Sequence, residues 1–107
     1  QADFVVVLVH FGDEGAGKPN RRQIELAHLA VDNGADLVVG SHPHILQAEE
    51  EYESRLIFYS LGNFVFDGFS GAANHSAVLW TTVYRGGEVE YSWMPVTIVG
   101  GVPLIGE

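Results

Sequence analysis

The chain has 107 residues, 47% hydrophobic and 18% charged, a composition that fits one compact globular unit and no more. The formal net charge is −9, from 14 acidic against 5 basic residues, and no run of Lys or Arg is available to neutralise a phosphate backbone, which argues against nucleic acid as a partner. With no cysteine there is no disulfide framework, thiolate metal site or cysteine nucleophile.

The longest apolar stretch, Phe4 to Val9, is too short to cross a bilayer, and no order of basic, apolar and small residues marks a signal peptide. Because the chain opens on Gln1 rather than Met, a preceding segment is expected, and any targeting or membrane-attachment signal would lie in it.

Phe4-Val5-Val6-Val7-Leu8-Val9 is rich in β-branched residues and apolar on both faces, the pattern of a strand buried on two sides, as in a parallel sheet. It ends at His10-Phe11-Gly12, and the Gly- and charge-rich Asp13 to Lys18 reads as a loop. Pro19-Asn20 then signals a helix start, with Asn20 as N-cap and Gln23 answering it in a capping box. Ile24, Ala27 and Val31 form an apolar stripe at helical spacing, and Gly34 is a natural stop. Ala35 to Gly40 reads as a second buried strand, so residues 4 to 40 spell a βαβ unit with parallel strands and a right-handed crossover.

Beyond Gly40, Ala48 to Glu53 is acidic, Leu56 to Phe66 is apolar and aromatic, and Ala77 to Tyr84 and Glu88 to Val99 alternate apolar with polar residues around a hairpin turn at Arg85-Gly86-Gly87. The fold class expected is α/β, one βαβ unit followed by mostly antiparallel strands, with no internal repeat, linker or second domain.

Ligands of open α/β sheets gather beyond the carboxyl ends of the parallel strands. There the chain has His10 after the first strand and Ser41-His42-Pro43-His44 after the second. In extended backbone, His42 and His44 project to one side, and Pro43 biases His42 towards that form. Three neutral imidazoles suit Zn, Mn, Fe, Co or Ni, and Asp13, Glu14 and Asp67 could orient a ring or complete a shell. The plainer alternative is that these are hydrogen-bonded structural histidines. His28, inside the helix, and His75, in the Gly-, Ala- and Asn-rich loop 68 to 76, are read as non-ligands. Glu49-Glu50-Glu51 is read as a solvated run, and Trp80, Trp93, Phe64, Phe66 and Tyr59 as core packing. Ser41 and Ser60 lack a visible base and orienter, so a serine nucleophile is not expected.

The segments Val9-His10-Phe11-Gly12-Asp13-Glu14, Gln23 to Ala27, Gly34 to Gln47 and Tyr59-Ser60-Leu61-Gly62-Asn63-Phe64-Val65-Phe66-Asp67 resemble the CapA family of bacterial poly-γ-glutamate capsule proteins. The family usually has His-Trp-Gly where this chain has His10-Phe11-Gly12. CapA proteins are in turn similar to calcineurin-like metallophosphoesterases. That resemblance implies that residues 1–107 are the C-terminal half of a two-sheet sandwich flanked by helices. It also implies that His10 matches that superfamily's later histidine ligand, and that His42 and His44 match its closing Gly-His-x-His, with Ser41 inserted after Gly40. The Asp-x-His, Gly-Asp and Gly-Asn-His motifs of the dinuclear centre are expected to precede residue 1.

Three functions are therefore weighed. The resemblance implies a setting in poly-γ-glutamate capsule biosynthesis or export at the cell envelope, outside the cytoplasm, with divalent Mn, Fe or Zn in the intact protein. A metal-dependent phosphoesterase is the alternative, and a metal-free structural fragment the third. In each case the fragment is expected to pair with a missing N-terminal half or to self-associate, because half a sandwich leaves strands and apolar faces open.

Overall fold

The computed structural model describes residues 2–66, 68 and 70–106. The two β-branched runs become the strands Val6–His10 (β1) and Leu37–Ser41 (β2), with the helix Arg21–Asp32 (α1) between them. The strands Leu46–Tyr52 (β3) and Arg55–Leu61 (β4), a 3₁₀ turn at Gly71–Asn74, and the strands His75–Val83 (β5), Val89–Val99 (β6) and Val102–Ile105 (β7) follow. β1, β2 and β4 are parallel and β3 lies antiparallel on β4, giving the order β1-β2-β4-β3. β5, β6 and β7 form a separate antiparallel sheet in that order. The expected α/β class, with its βαβ unit and later antiparallel strands, is what the chain adopts.

The start of α1 follows the local rule. The Gln23 backbone N–H donates to Asn20 Oδ1 and the Asn20 backbone N–H donates to Gln23 Oε1, both at 2.8 Å, so each residue satisfies an orphan donor of the other. The helix ends at Asn33, after which Gly34 takes a φ of 107°. Ala27 and Val31 point inward with Ile24 packed beside them, and with Phe11, Ala35, Val38, Ile57 and Tyr59 they form the core between α1 and the parallel sheet. Each aliphatic side chain buried there contributes about 1.5–3 kcal/mol. Gly40 is obligatory in this layer, because a Cβ would collide with the carbonyl oxygen of Tyr59 and the ring of Phe11.

Three tight turns organise the rest. Glu53-Ser54 joins β3 to β4 with φ of 50° and 63°, and Gly100-Gly101 joins β6 to β7 with φ of 58° and 83°, the positive values that two-residue hairpins require. The turn expected at Arg85-Gly86-Gly87 closes through Tyr84 N to Glu88 O at 2.8 Å and Gly87 N to Tyr84 O at 3.0 Å. β3 and β7 were not separated from their surroundings by hydropathy alone.

Two expectations fail here. β1 is not buried on both faces: Val7 and Val9 pack towards the α1 core, whereas Val6 and Leu8 face outward and Leu8 is 78% exposed. It is an edge strand, and its outer apolar face is only partly covered, with Val6 bordering an open cleft against Leu79 and Val83 of β5. Of the aromatics assigned to the core, Tyr59 is buried, but Trp80 (62%), Trp93 (54%), Phe64 and Phe66 are exposed. Among the described residues no helix is long and apolar enough to cross a membrane.

Candidate metal centre

β1 and β2 are immediate neighbours, in register from Val6 opposite Leu37 to His10 opposite Ser41. The carboxyl ends of both strands therefore arrive together, and the ladder runs one step further through Phe11 N donating to Ser41 O at 2.9 Å. The His10 and His42 ring centroids lie 4.6 Å apart and those of His42 and His44 lie 5.6 Å apart. Phe66 meets the His44 ring edge-on at 5.2 Å. The three histidines singled out by sequence thus form one continuous group, with His10 exposed and His42 and His44 half-buried.

The route to that grouping differs from the expected one. His42 and His44 are not in extended backbone: their φ angles are 106° and 62°, flanking the fully buried Pro43. Positive φ costs a non-glycine residue about 1–3 kcal/mol, and the residue before a proline ordinarily avoids it. A tight left-handed turn therefore brings the rings together, and its cost is offset by anchoring. Gly15 N donates to Pro43 O at 2.7 Å, tying the loop after His10 to the turn. That loop is held in its turn by Gln47, whose Nε2 donates to the carbonyls of Ala16 (2.9 Å) and Lys18 (3.1 Å) while its Oε1 accepts from the buried Gln23 at 2.9 Å.

Asn63 is the site residue to which sequence reasoning gave no role. Its Oδ1 lies 2.7 Å from His44 Nδ1, and its Nδ2 donates to the carbonyls of His44 and Ala73, both at 3.2 Å. The signal available was the Gly62-Asn63 step after an apolar strand, where Gly62 takes a φ of 78° and leaves no room for a Cβ against Ser76.

The carboxylates proposed as a shell divide. Asp13 accepts from Asn20 Nδ2 at 2.9 Å and so serves the N-terminus of α1. Glu14 lines a hollow of about 520 Å³ together with Gly15, Pro43 and His44. Asp67 lies outside the described residues. Among the described residues, no three His, Asp or Glu side chains are gathered closely enough to hold one ion. The imidazole donors fit a divalent transition metal by type, and their geometry supplies adjacent pairs rather than a closed shell.

A separate cluster of titratable side chains joins α1 to β3 and β4. His28 Nε2 lies 2.9 Å from Glu50 Oε1, the Tyr59 hydroxyl donates to the same oxygen at 2.5 Å, and the His28 ring stacks on Tyr52 at 3.7 Å. Burial pushes the Glu50 carboxyl up, and the bonds from Tyr59 and His28 and the charge of His28 outweigh it, so the net shift is downward. Burial, then the Glu50 bond and charge, push the Tyr59 phenol up. His28 is thus engaged by Glu50 and Tyr52, and Glu50 is not the solvated carboxylate that its run suggested; Glu49 and Glu51 are exposed. His75 opens β5 exposed to solvent.

Residues 1–68 match the family described as "Bacterial capsule synthesis protein PGA_cap". The chain is 44% identical over 102 residues to "Capsule biosynthesis protein CapA" of Bacillus anthracis, an alignment covering 95% of this chain and 25% of that protein. It is 42% identical over 102 residues to "PGA biosynthesis protein CapA" of Bacillus subtilis (strain 168), covering 95% of this chain and 27% of the relative. The chain therefore spans about a quarter of the length of these relatives. A match of this extent, running through His10, His42, His44 and Asn63, makes the chain a member of the bacterial capsule synthesis protein family.

Proposed function

We propose that the chain is the C-terminal part of a CapA-type domain that acts in making or exporting a poly-γ-glutamate capsule at the cell envelope, and that His10, His42 and His44 contribute to a divalent-metal site there. The observation that carries the metal reading is the meeting of the rings at the carboxyl ends of two adjacent parallel strands, held in a strained turn. Strain of this kind persists where the surroundings enforce it, and it concentrates at functional sites. A bound Mn, Fe or Zn ion would supply Lewis-acid chemistry, and would let an acidic protein of net charge −9 meet a polyanionic polymer that it otherwise repels.

The test has two arms. Zinc or manganese titrated into the chain should bind, and a His10→Ala/His42→Ala/His44→Ala variant should lose at least about tenfold in affinity. Equal binding by both chains would remove the metal reading. In the full-length protein, the same substitutions should reduce released γ-glutamate polymer; undiminished polymer would remove these histidines from capsule synthesis.

Metal-dependent phosphoester hydrolysis is the second reading, resting on the similarity of Gly40-Ser41-His42-Pro43-His44 to the closing motif of calcineurin-like enzymes. Turnover of a phosphodiester by the full-length protein that disappears with His42→Ala would favour it. A metal-free structural role is the third, favoured by the absence of a three-donor cluster among the described residues.

A further inference from the structure

We infer that Asn63 is a positioning residue that locks His44 in one tautomer and thereby selects Nε2 as its metal-binding nitrogen. The inference rests on the metal reading proposed above and adds to it a specific partner and a specific atom. A side-chain amide can present either its oxygen or its NH₂ to a neighbour, and a neutral imidazole can carry its proton on either nitrogen. Here the surroundings remove both freedoms. Asn63 is almost fully buried, and one end of its amide faces two backbone carbonyls, those of His44 and Ala73 at 3.2 Å each. Carbonyls only accept, so this end must be the NH₂ group. The oxygen is then fixed against His44 Nδ1 at 2.7 Å, and an oxygen facing a ring nitrogen at that distance requires the nitrogen to donate. The proton is therefore on Nδ1, and the lone pair on Nε2.

The same amide holds the backbone of that residue. By bonding both the ring and the carbonyl of His44, Asn63 braces a residue whose backbone φ is 62°, and through Ala73 it ties the turn to the 3₁₀ segment Gly71–Asn74. Ligating histidines ordinarily donate their second ring N–H to a fixed acceptor, which sets ring orientation and raises ligand basicity. Asn63 supplies that acceptor from the turn after β4, a different element from those carrying the histidines.

Long-range ¹H–¹⁵N spectra of the chain at about pH 8, where an ordinary imidazole is neutral, read the tautomer directly and without metal. His44 should show a protonated Nδ1 and an unprotonated Nε2. Asn63→Leu should release the ring to a tautomer mixture, and circular dichroism checks that the variant folds. Zinc should then perturb Nε2 of the unsubstituted chain, with affinity falling about tenfold or more in Asn63→Leu. A protonated Nε2 in the unsubstituted chain overturns the inference whatever zinc does, as does equal zinc affinity in folded Asn63→Leu. Zinc that binds nowhere near these rings, with Nδ1 protonated, overturns the metal reading and with it the selection of Nε2, and the metal-free tautomer shows that the failure lies there.

Discussion

Glu50 occupies the middle of an acidic run that composition presents as a solvated face, yet its carboxylate receives the Tyr59 hydroxyl and the His28 ring on one oxygen. Because its pKa is lowered on folding, the unfolded chain takes up a proton more readily, so its contribution is present above the ordinary carboxylate value of 4.5 and is lost as the pH falls below it. Tyr59 acts at the other extreme. Its pKa is raised on folding, so above pH 10 the unfolded chain ionises first and stability declines with rising pH. Around the pair stand His28 and Asp32 from α1, Tyr52 from β3, and Glu49 and Glu51 on either side of Glu50. Tyr59→Phe should therefore shrink both the acid and the alkaline decline in urea midpoints. It should cost about 1 kcal/mol at neutral pH, the low end for a bond to a charged group because Glu50 is partly screened by solvent. An alkaline limb unchanged in Tyr59→Phe would show that another phenol controls it.

At the scale of elements, what the sequence makes legible is what is decided locally. The capping box needs only residues 20 to 23, and it forms as read. Asn20→Ala removes the side-chain acceptor for Gln23 N and also the donor to Asp13, so thermal unfolding should show a loss of about 1–2 kcal/mol, while Asp13→Ala, which leaves the cap intact, should lose far less. Equal losses would mean that the loop contact, and not the cap, holds the helix start. The His42-Pro43-His44 turn was misread for the complementary reason. The preference of a pre-proline residue for extended backbone is local, and it is overridden by Gly15, Asn63 and the buried seat of Pro43, which come from distant parts of the chain. The meeting of His10 with His42 was nevertheless legible, because it depends on β1 and β2 being parallel neighbours. Asn63 was not, because a single amide in a turn carries no periodicity, and its role exists only once His44 lies against it.

At the scale of the whole molecule, the face of β1 turned away from α1 stays open. A fully apolar run specifies two buried faces, and here one is supplied by α1 while the other is left to Val6 and Leu8 at the surface. The two sheets approach through Phe58 and Tyr91, whose rings lie 6.3 Å apart, but a cleft of about 380 Å³ lined by Phe4, Val6, Leu37, Val39, Leu79 and Val83 stays open between them. Unpartnered strand edges and apolar faces of this size favour association. The relatives are about four times as long; under the function proposed above, the remainder of a CapA-type domain would cover this face and a second copy of the chain would compete for it. Analytical ultracentrifugation of the 107-residue chain should show concentration-dependent association that Leu8→Lys weakens, since Leu8 is 78% exposed and its replacement removes little packing within the chain. Adding a separately made upstream portion of a CapA-type protein should compete with that self-association and cover Leu8 against solvent-accessible labelling of a Leu8→Cys variant. A strictly monomeric chain whose position 8 labels equally fast with and without that portion would show that the open face of β1 is ordinary surface.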